Sequence, residues 1–388
     1  MLVSDCMDRT AKMNLLTRAA QFDLCAPASS PEAGQEGRAA AMCAADEVSK
    51  WLYPAVLPNG KQAALLKVLQ SNYCENDCAY CANRRSRDVA RGEFGSEELA
   101  AGFDELVRRG LAKGLFLSSA VCHNTARSME RMIATVELVR FKYRYSGYVH
   151  LKLLPGCEKA TVERAVQIAD RVSVNLEAPN PERLRVLSID KDLERDLIAP
   201  MIWSRVFRER ESGARSGLTT QFVVGAAGES DREILTAVDG LYHRVALSRA
   251  YFSGFYPVPG TPLEGLPAAP ALREHRLYQG DFLFRHYAFT LDDFCFDSEG
   301  NLLEDADPKL AWARAHPEFF PIEINQASRE QLLRVPGIGP VSAARIVQTR
   351  RRDPFRRIED LKAAGIAQRS VPYLLLAGRG APRQPRLL

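Results

Sequence analysis

The chain has 388 residues, 46% of them hydrophobic and 26% charged, an ordinary balance for a folded protein long enough for two domains and a sizeable core. Nine cysteines, an odd number with three crowded together, argue against a disulfide framework and for a reducing compartment. No apolar run approaches membrane-spanning length. The first twenty residues carry Asp5, Asp8, Arg9, Lys12 and Arg18 where a signal peptide needs an apolar stretch, so a cytoplasmic location with no membrane partner is expected.

The net charge of +4 is uneven. Residues 321–388 hold 13 Lys+Arg against 5 Asp+Glu, a surplus of 8, which leaves the rest of the chain at −4. A basic module on a mildly acidic body points to nucleic acid, or else to a solvated arginine-rich face.

In chain order, residues 8–24 show the helical spacing of Met13, Leu16, Ala20 and Leu24. A Pro/Ala/Ser/Gly-rich stretch over 26–45, flanked by Cys25 and Cys43, reads as a mobile loop. These two cysteines lack ligand spacing and read as ordinary thiols. Asn59-Gly60 marks a tight turn. A rhythm then begins, with strands predicted at Ala64–Leu69, Gly114–Leu117, Tyr148–Leu154, Arg171–Glu177, Leu218–Val224 and Ala250–Tyr256. Helices are predicted between them over 96–109, 127–145, 159–169, 192–211 and 230–246. Six strands in such alternation imply right-handed crossovers and a parallel sheet, too few for a closed eight-stranded barrel. A partial barrel with an exposed mouth follows, its ligands at the C-terminal ends of the strands.

The first strand runs straight into Cys74-Glu-Asn-Asp-Cys78-Ala-Tyr-Cys81. Thiolates are soft ligands for iron–sulfur clusters, zinc or copper. A closed structural site needs four protein ligands, and this loop supplies three, which leaves a metal position open for chemistry. A zinc knuckle is the plainer alternative. The spacing CxxxCxxC, with Tyr80 just before the last cysteine, resembles the cluster loop of the radical S-adenosylmethionine (SAM) enzymes. That resemblance implies an α/β fold, a partial (β/α)6 TIM-type barrel over residues 61–262, with Cys74, Cys78 and Cys81 holding a 4Fe–4S cluster. Its fourth iron would chelate SAM, whose reductive cleavage yields a deoxyadenosyl radical. An electron donor such as flavodoxin or ferredoxin is implied as a partner.

The same resemblance assigns further positions. Tyr80 would pack near the adenine. Ser118 and Ser119 stand where the family usually has Gly-Gly-Glu against the SAM amino group. Asn175 and Glu177 alternate on one strand and would face the ribose, or form only a solvated strand end. Arg195 would meet the SAM carboxylate, or be a helix-surface charge. Gly225 would let backbone approach adenine, or merely end its strand. Cys122-His123 could line the mouth, the thiol as hydrogen donor or crosslink, or as an ordinary cysteine. Tyr256 could close the site.

Residues 1–60 read as an N-terminal helix and loop, and 263–320 as a barrel extension and linker with an aromatic helix (Tyr278 to Phe289) packed as core. From Ile324 the pattern changes. A short helix capped at Asn325 or Ser328 leads to Val335-Pro-Gly337-Ile338-Gly339-Pro340 and a second helix. This resembles a helix-hairpin-helix motif, which implies a small all-α domain over 321–388 that holds a DNA backbone through amides beside Gly337 and Gly339. Ile338 would anchor the hairpin, Ala344 would let the helices approach, and Arg345 with Arg350 to Arg352 would add charge. Phe355–Ile366 looks like a degenerate second copy, with Gly365 alone. Together the two modules resemble the radical SAM group taken to modify or repair DNA. An RNA or tRNA base as substrate, and a non-catalytic iron–sulfur DNA-binding protein, are the alternatives.

Overall fold

The computed structural model describes residues 7–22, 48–56, 62–211 and 213–380, so the 26–45 loop, Cys25, Cys43 and the Asn59-Gly60 turn lie outside the described residues. Apolar runs of three to eight residues form seven strands that join one sheet in chain order: β1 (Leu52–Val56), β2 (Gln62–Leu69), β3 (Gly114–Ser118), β4 (Tyr148–Lys152), β5 (Arg171–Ser173), β6 (Leu218–Val224) and β7 (Leu247–Gly254). The ladders from β2 to β7 are all parallel, the half-barrel that the alternation implies. One strand was not expected: β1 pairs antiparallel with β2 at the sheet edge.

The helices follow the apolar spacing closely. After α1 (Arg9–Ala19) they are α2 (Ser96–Arg108), α3 (Thr125–Glu137), α4 (Lys159–Ile168), α5 (Pro181–Leu187), α6 (Ala199–Glu211) and α7 (Asp231–Val245). Helix α5 was not foreseen; its seven residues follow Asn180, whose side chain accepts from Arg183 N, with Pro181 in the first turn. Two segments expected to be α-helical are wider π-turns, Leu138–Lys142 after α3 and Leu193–Ile198 before α6.

The sheet has two unlike faces. One is apolar: Leu66, Leu117, Leu151, Val172, Phe222 and Phe252 are all fully buried, and the Phe222 and Phe252 rings stack at 6.0 Å. Removing a ring from this layer leaves a cavity, so Phe252→Ala is expected to cost about 3–5 kcal/mol, read as a fall in the urea midpoint. The other face mixes an apolar cluster around Leu65 and Phe116 with polar side chains such as Lys152, Ser173 and Gln221, and carries the site.

The chain divides into two compact units, Met1–Glu229 with Thr236–Glu274, and Ser230–Leu235 with His275–Leu388. The second holds α8 (Ala271–Tyr287) from His275 on, then α9 (Pro308–Ala315), β8 (Ile322–Glu323), α10 (Arg329–Arg334), α11 (Pro340–Arg350), α12 (Ile358–Ala363), β9 (Leu374–Leu376) and β10 (Arg379–Gly380). Its core gathers Ile324, Leu332, Val335, Ile338, Ile346 and Phe355. The short sheet β10-β9-β8 adds strands to a segment read from sequence as helical throughout. Among the described residues no helix is long and apolar enough to cross a membrane.

Candidate active site

The loop after β2 is fixed by its own polar groups. The guanidinium of Arg91 donates to the carbonyls of Asn72, Asn83, Arg84 and Arg87. Asp77, between the first two cysteines, accepts both arms of Arg84 at 2.8 and 2.6 Å and the backbone N–H of Ser86. These bonds hold the Asp77 carboxyl well below the usual carboxylate range, the Arg84 bond first among them. Ala79 N donates to Leu187 O at the end of α5.

Thus held, Cys74, Cys78 and Cys81 line one cavity of about 160 Å³ at the C-terminal ends of the strands. Leu69, Lys152, Gln221 and Ser253 line it from β2, β4, β6 and β7. All three cysteines are free thiols, and the lining contains no fourth cysteine and no histidine. Each sulfur has a hydrogen-bonding neighbour. The N–H groups of Val121 and Asn76 donate to Cys74, Ser188 Oγ lies 3.3 Å from Cys78 Sγ, and Asn83 N donates to Cys81 Sγ at 3.4 Å. The backbone N–H donors to Cys74 and Cys81 stabilise ligating thiolates. Burial pushes the Cys74 thiol up and the Cys81 thiol up to about 12, with neighbouring Cys78 adding to both. Among the described residues no group of three or more Cys, His, Asp or Glu side chains is placed to hold a metal ion.

The remaining assigned residues fall into two groups. Tyr80, Ser119, Asn175 and Glu177 line the cavity with the cysteines. Ser118, Arg195 and Gly225 do not. Of the serine pair only Ser119, just past the end of β3, borders the cavity, its hydroxyl donating to Ala120 O at 2.8 Å. Arg195 is 77% exposed and spends its guanidinium on Asp196 at 2.7 Å. Gly225 has φ +89° and a Cβ there would lie 2.9 Å from Ala269 Cβ, so it is a strand-ending glycine packed against the following chain. The ladder of β5 stops at Ser173; Glu177 itself takes φ +67° and bridges to Phe222. It faces the cavity through that turn of the backbone and not through strand alternation.

Sequence reasoning missed Lys191. Its Nζ meets Glu177 Oε1 at 3.1 Å, and both side chains are only 6% exposed. The hydroxyl of Tyr80 donates to the same carboxylate, and burial with that neighbouring charge drives its pKa well above the ordinary phenol value. Burial alone would neutralise Lys191, but the charges of Cys78 and Glu177 outweigh it and hold the ammonium. A lone lysine in Ser188-Ile-Asp-Lys191 carries no motif that would have announced this. Cys122 stays outside the cavity, 3.3 Å from Glu93 Oε2, its thiol pushed by burial to about 11. Tyr256 lines the cavity and is 47% exposed.

In the second unit, Ser328 caps α10 in a reciprocal box with Gln331, while Asn325 exchanges two bonds with Phe355. Gly337 has φ +87° and a Cβ there would sit 2.6 Å from Ser370 Oγ. Gly337→Ala is therefore expected to lower the stability of this unit by about 1–3 kcal/mol, again read from the urea midpoint. Gly339, extended at φ −98°, caps α11 and leaves only 3.2 Å between a Cβ and Tyr287 Oη. Ile338 is buried in the core. The close-packed alanine of α11 is Ala343, and Ala344 is exposed, one residue from the position assigned by sequence. Two arginines are structural: Arg345 donates to Ala364 O at 2.9 Å, and Arg350 to Ile324 O and Ala327 O at 2.7 Å. Arg351 and Arg352 are exposed.

Lys309 is buried beneath this hairpin, donating to Ile338 O and lying 4.6 Å over the Tyr287 ring. Burial lowers its pKa from 10.5 to about 7. Between pH 7 and 10.5 the unfolded chain therefore binds a proton that the folded chain does not, so stability rises with pH across that window and levels below it. The expected result is that Lys309→Met is more stable than the parent near pH 7, with the difference shrinking towards pH 10 in urea titrations.

Residues 319–366 match the family described as "Helix-hairpin-helix motif". No curated protein matches the sequence. Among solved structures the chain is similar to methylornithine synthase (PylB), at 14% identity and TM-score 0.47 over 71% of this chain and 76% of that one. It is similar also to the FeFe-hydrogenase maturase HydG from Carboxydothermus hydrogenoformans, at 14% identity and TM-score 0.44 over 55% of this chain and 49% of that one. A third is the radical S-adenosylmethionine methyltransferase TsrM from Kitasatospora setae, with cobalamin and a [4Fe-4S] cluster bound, at 15% identity and TM-score 0.40 over 64% and 49%. The chain thus spans about half the length of HydG and of TsrM.

Proposed function

We propose that the chain is a radical SAM enzyme that modifies or repairs nucleic acid, DNA in the first place. One observation carries the reading: three cysteines of one loop line a cavity at the mouth of a half-barrel that offers no fourth cysteine or histidine. When bound, a 4Fe–4S cluster with SAM supplies a radical able to remove hydrogen from an unactivated C–H bond. The chain's own residues do the rest. Cys74, Cys78 and Cys81 would hold the cluster, the lining offering no fourth cysteine or histidine in place of SAM. Tyr80, Ser119, Asn175 and Glu177 form the wall that orients it, with Ser118, Arg195 and Gly225 supporting that wall from outside the lining. Lys191 pairs with Glu177 at 3.1 Å and fixes that side chain in the wall, both being only 6% exposed. A flavodoxin or ferredoxin delivers the electron.

Nucleic acid is held through the second unit. Pro340 has no N–H, so the free amides at the start of α11 are those of Val341 and Ser342, beside Gly337, Ile338 and Gly339, with Arg345 next to them. A base in a duplex leaves the stack to reach a barrel mouth. Anaerobic reconstitution with SAM and dithionite tests the first half: 5′-deoxyadenosine is released by a catalyst and not by a structural cluster. Val341 is 72% exposed, so Val341→Glu tests the second without disturbing the core. Duplex affinity falls about tenfold if phosphate sits there; unchanged affinity removes the hairpin from the reading, and a preference for RNA moves the substrate to that alternative.

A further inference from the structure

The candidate active site lies at the C-terminal ends of the strands. A second cavity, of about 490 Å³, opens at their other end. It is framed by the last turns of α2, the residues just before β3 and the turn that leads from α3 into β4. Its lining shares no residue with the cysteine cavity. The N-terminal rim of a barrel ordinarily serves stability alone. Cavities of this size hold small ligands, and the radical chemistry proposed above leaves this one unused.

The lining combines charge with rings. Apart from tyrosines, its ionisable side chains are Asp104, Arg108, Lys113 and Arg144. Asp104 and Arg108 pair at 2.8 Å and cancel. Lys113 and Arg144 are exposed, and their side chains have no hydrogen-bond or ion-pair partner among the described residues, so a surplus of two positive charges borders the cavity. Tyr143 and Tyr145 flank Arg144 in the chain and line the same wall, each partly buried. Tyr145 is held edge-on to Phe103 at 5.0 Å. The wall is braced by the protein itself. Arg140, paired with Asp170 at 2.7 Å, donates to Tyr145 O at 2.9 Å and to Gly147 O at 2.7 Å. Arg144 is kept at φ +54°, a left-handed backbone that arginine rarely adopts and that recurs at ligand clamps. It follows the π-turn Leu138–Lys142, a distortion also frequent at functional sites. Cations beside aromatic rings are the combination that takes a phosphate together with a stacked base.

We propose that this N-terminal cavity is a nucleotide-binding site, with Lys113 and Arg144 on the phosphate and Tyr143 and Tyr145 against the base. It goes beyond the radical SAM reading and does not depend on it. The nucleotide is either free, which makes the cavity a regulatory site at the far end of the strands from the cysteines, or one unit of a nucleic-acid strand, which makes it a second foothold for that strand.

The test uses the full chain after anaerobic reconstitution. Dissociation constants are measured at low salt for the four ribonucleosides, their 5′-monophosphates and inorganic phosphate. For at least one base the monophosphate binds about tenfold tighter than its nucleoside, as an added charge-assisted bond requires. The same monophosphate binds about tenfold tighter than inorganic phosphate, as a stacked base requires. The preference over nucleoside disappears in the double variant Lys113→Gln with Arg144→Asn and persists in Lys113→Arg. Asparagine tolerates the left-handed backbone at 144, so the urea midpoint and deoxyadenosine release of the double variant match the parent's. Equal affinity for nucleoside and monophosphate across all four bases overturns the proposal. So does a preference that survives the double variant, or inorganic phosphate binding as tightly as every nucleotide. A single-stranded oligonucleotide that competes with the bound mononucleotide assigns the site to a strand; binding by the mononucleotide alone assigns it to a free nucleotide. Either result upholds the site. Absence of deoxyadenosine release from the parent sinks the radical SAM reading and leaves this one standing.

Discussion

Cys81→Ser is expected to abolish iron loading and reductive SAM cleavage together. Loss of a partner that merely supports a metal ligand costs about 10–100-fold in affinity or activity, and loss of the ligand itself must reach at least the upper end of that range. The reconstituted Cys81→Ser chain should therefore release 5′-deoxyadenosine at least about 100-fold more slowly than the parent and carry little iron. Cys74→Ser and Cys78→Ser should behave alike, since all three sulfurs border the same cavity. Cys122→Ser, outside the lining, is the control: its thiol bonds Glu93 and should leave iron content unchanged. A triple variant that still bound iron and cleaved SAM would show that another set of residues holds the metal.

The largest effect on stability is expected at the Lys191–Glu177 pair. Both side chains are almost wholly buried, 3.1 Å apart. Removing one partner strands the other charge in a dry site, a loss of about 3–5 kcal/mol. Lys191→Met and Glu177→Gln should each lower the unfolding free energy by that amount, read from the shift in the urea midpoint. The double variant should recover much of it, because an uncharged pair of similar volume carries no stranded charge. Additive losses in the double variant would mean that the two side chains act separately. If the pair also orients SAM, the double variant regains stability but not SAM affinity, and equilibrium binding of SAM separates the two roles.

Much of the fold can be read before any coordinates. The parallel strands β2 to β7 and most of their helices follow from apolar runs and their punctuation, since those segments are buried on both faces or along one stripe. Strand β1 was not legible: Leu52-Tyr-Pro-Ala-Val carries a proline and lies at the edge, where pairing depends on its neighbour. The cysteines announced themselves because metal ligation constrains spacing along the chain. Lys191 did not, because a buried ion pair is a relation between residues 14 apart with no fixed interval. Arg195, the cation assigned from sequence, sits on the wide turn Leu193–Ile198, pairs with Asp196 and lies outside the cavity lining.

One guanidinium, that of Arg91, gathers four carbonyls of the cysteine loop. A zinc finger has no such brace and unravels when its metal leaves. Here the receptacle is stiffened by protein alone, so if the proposed iron centre were lost to oxygen the scaffold would remain for refilling, and oxidative damage would be an interruption repaired by resupply of iron and sulfide.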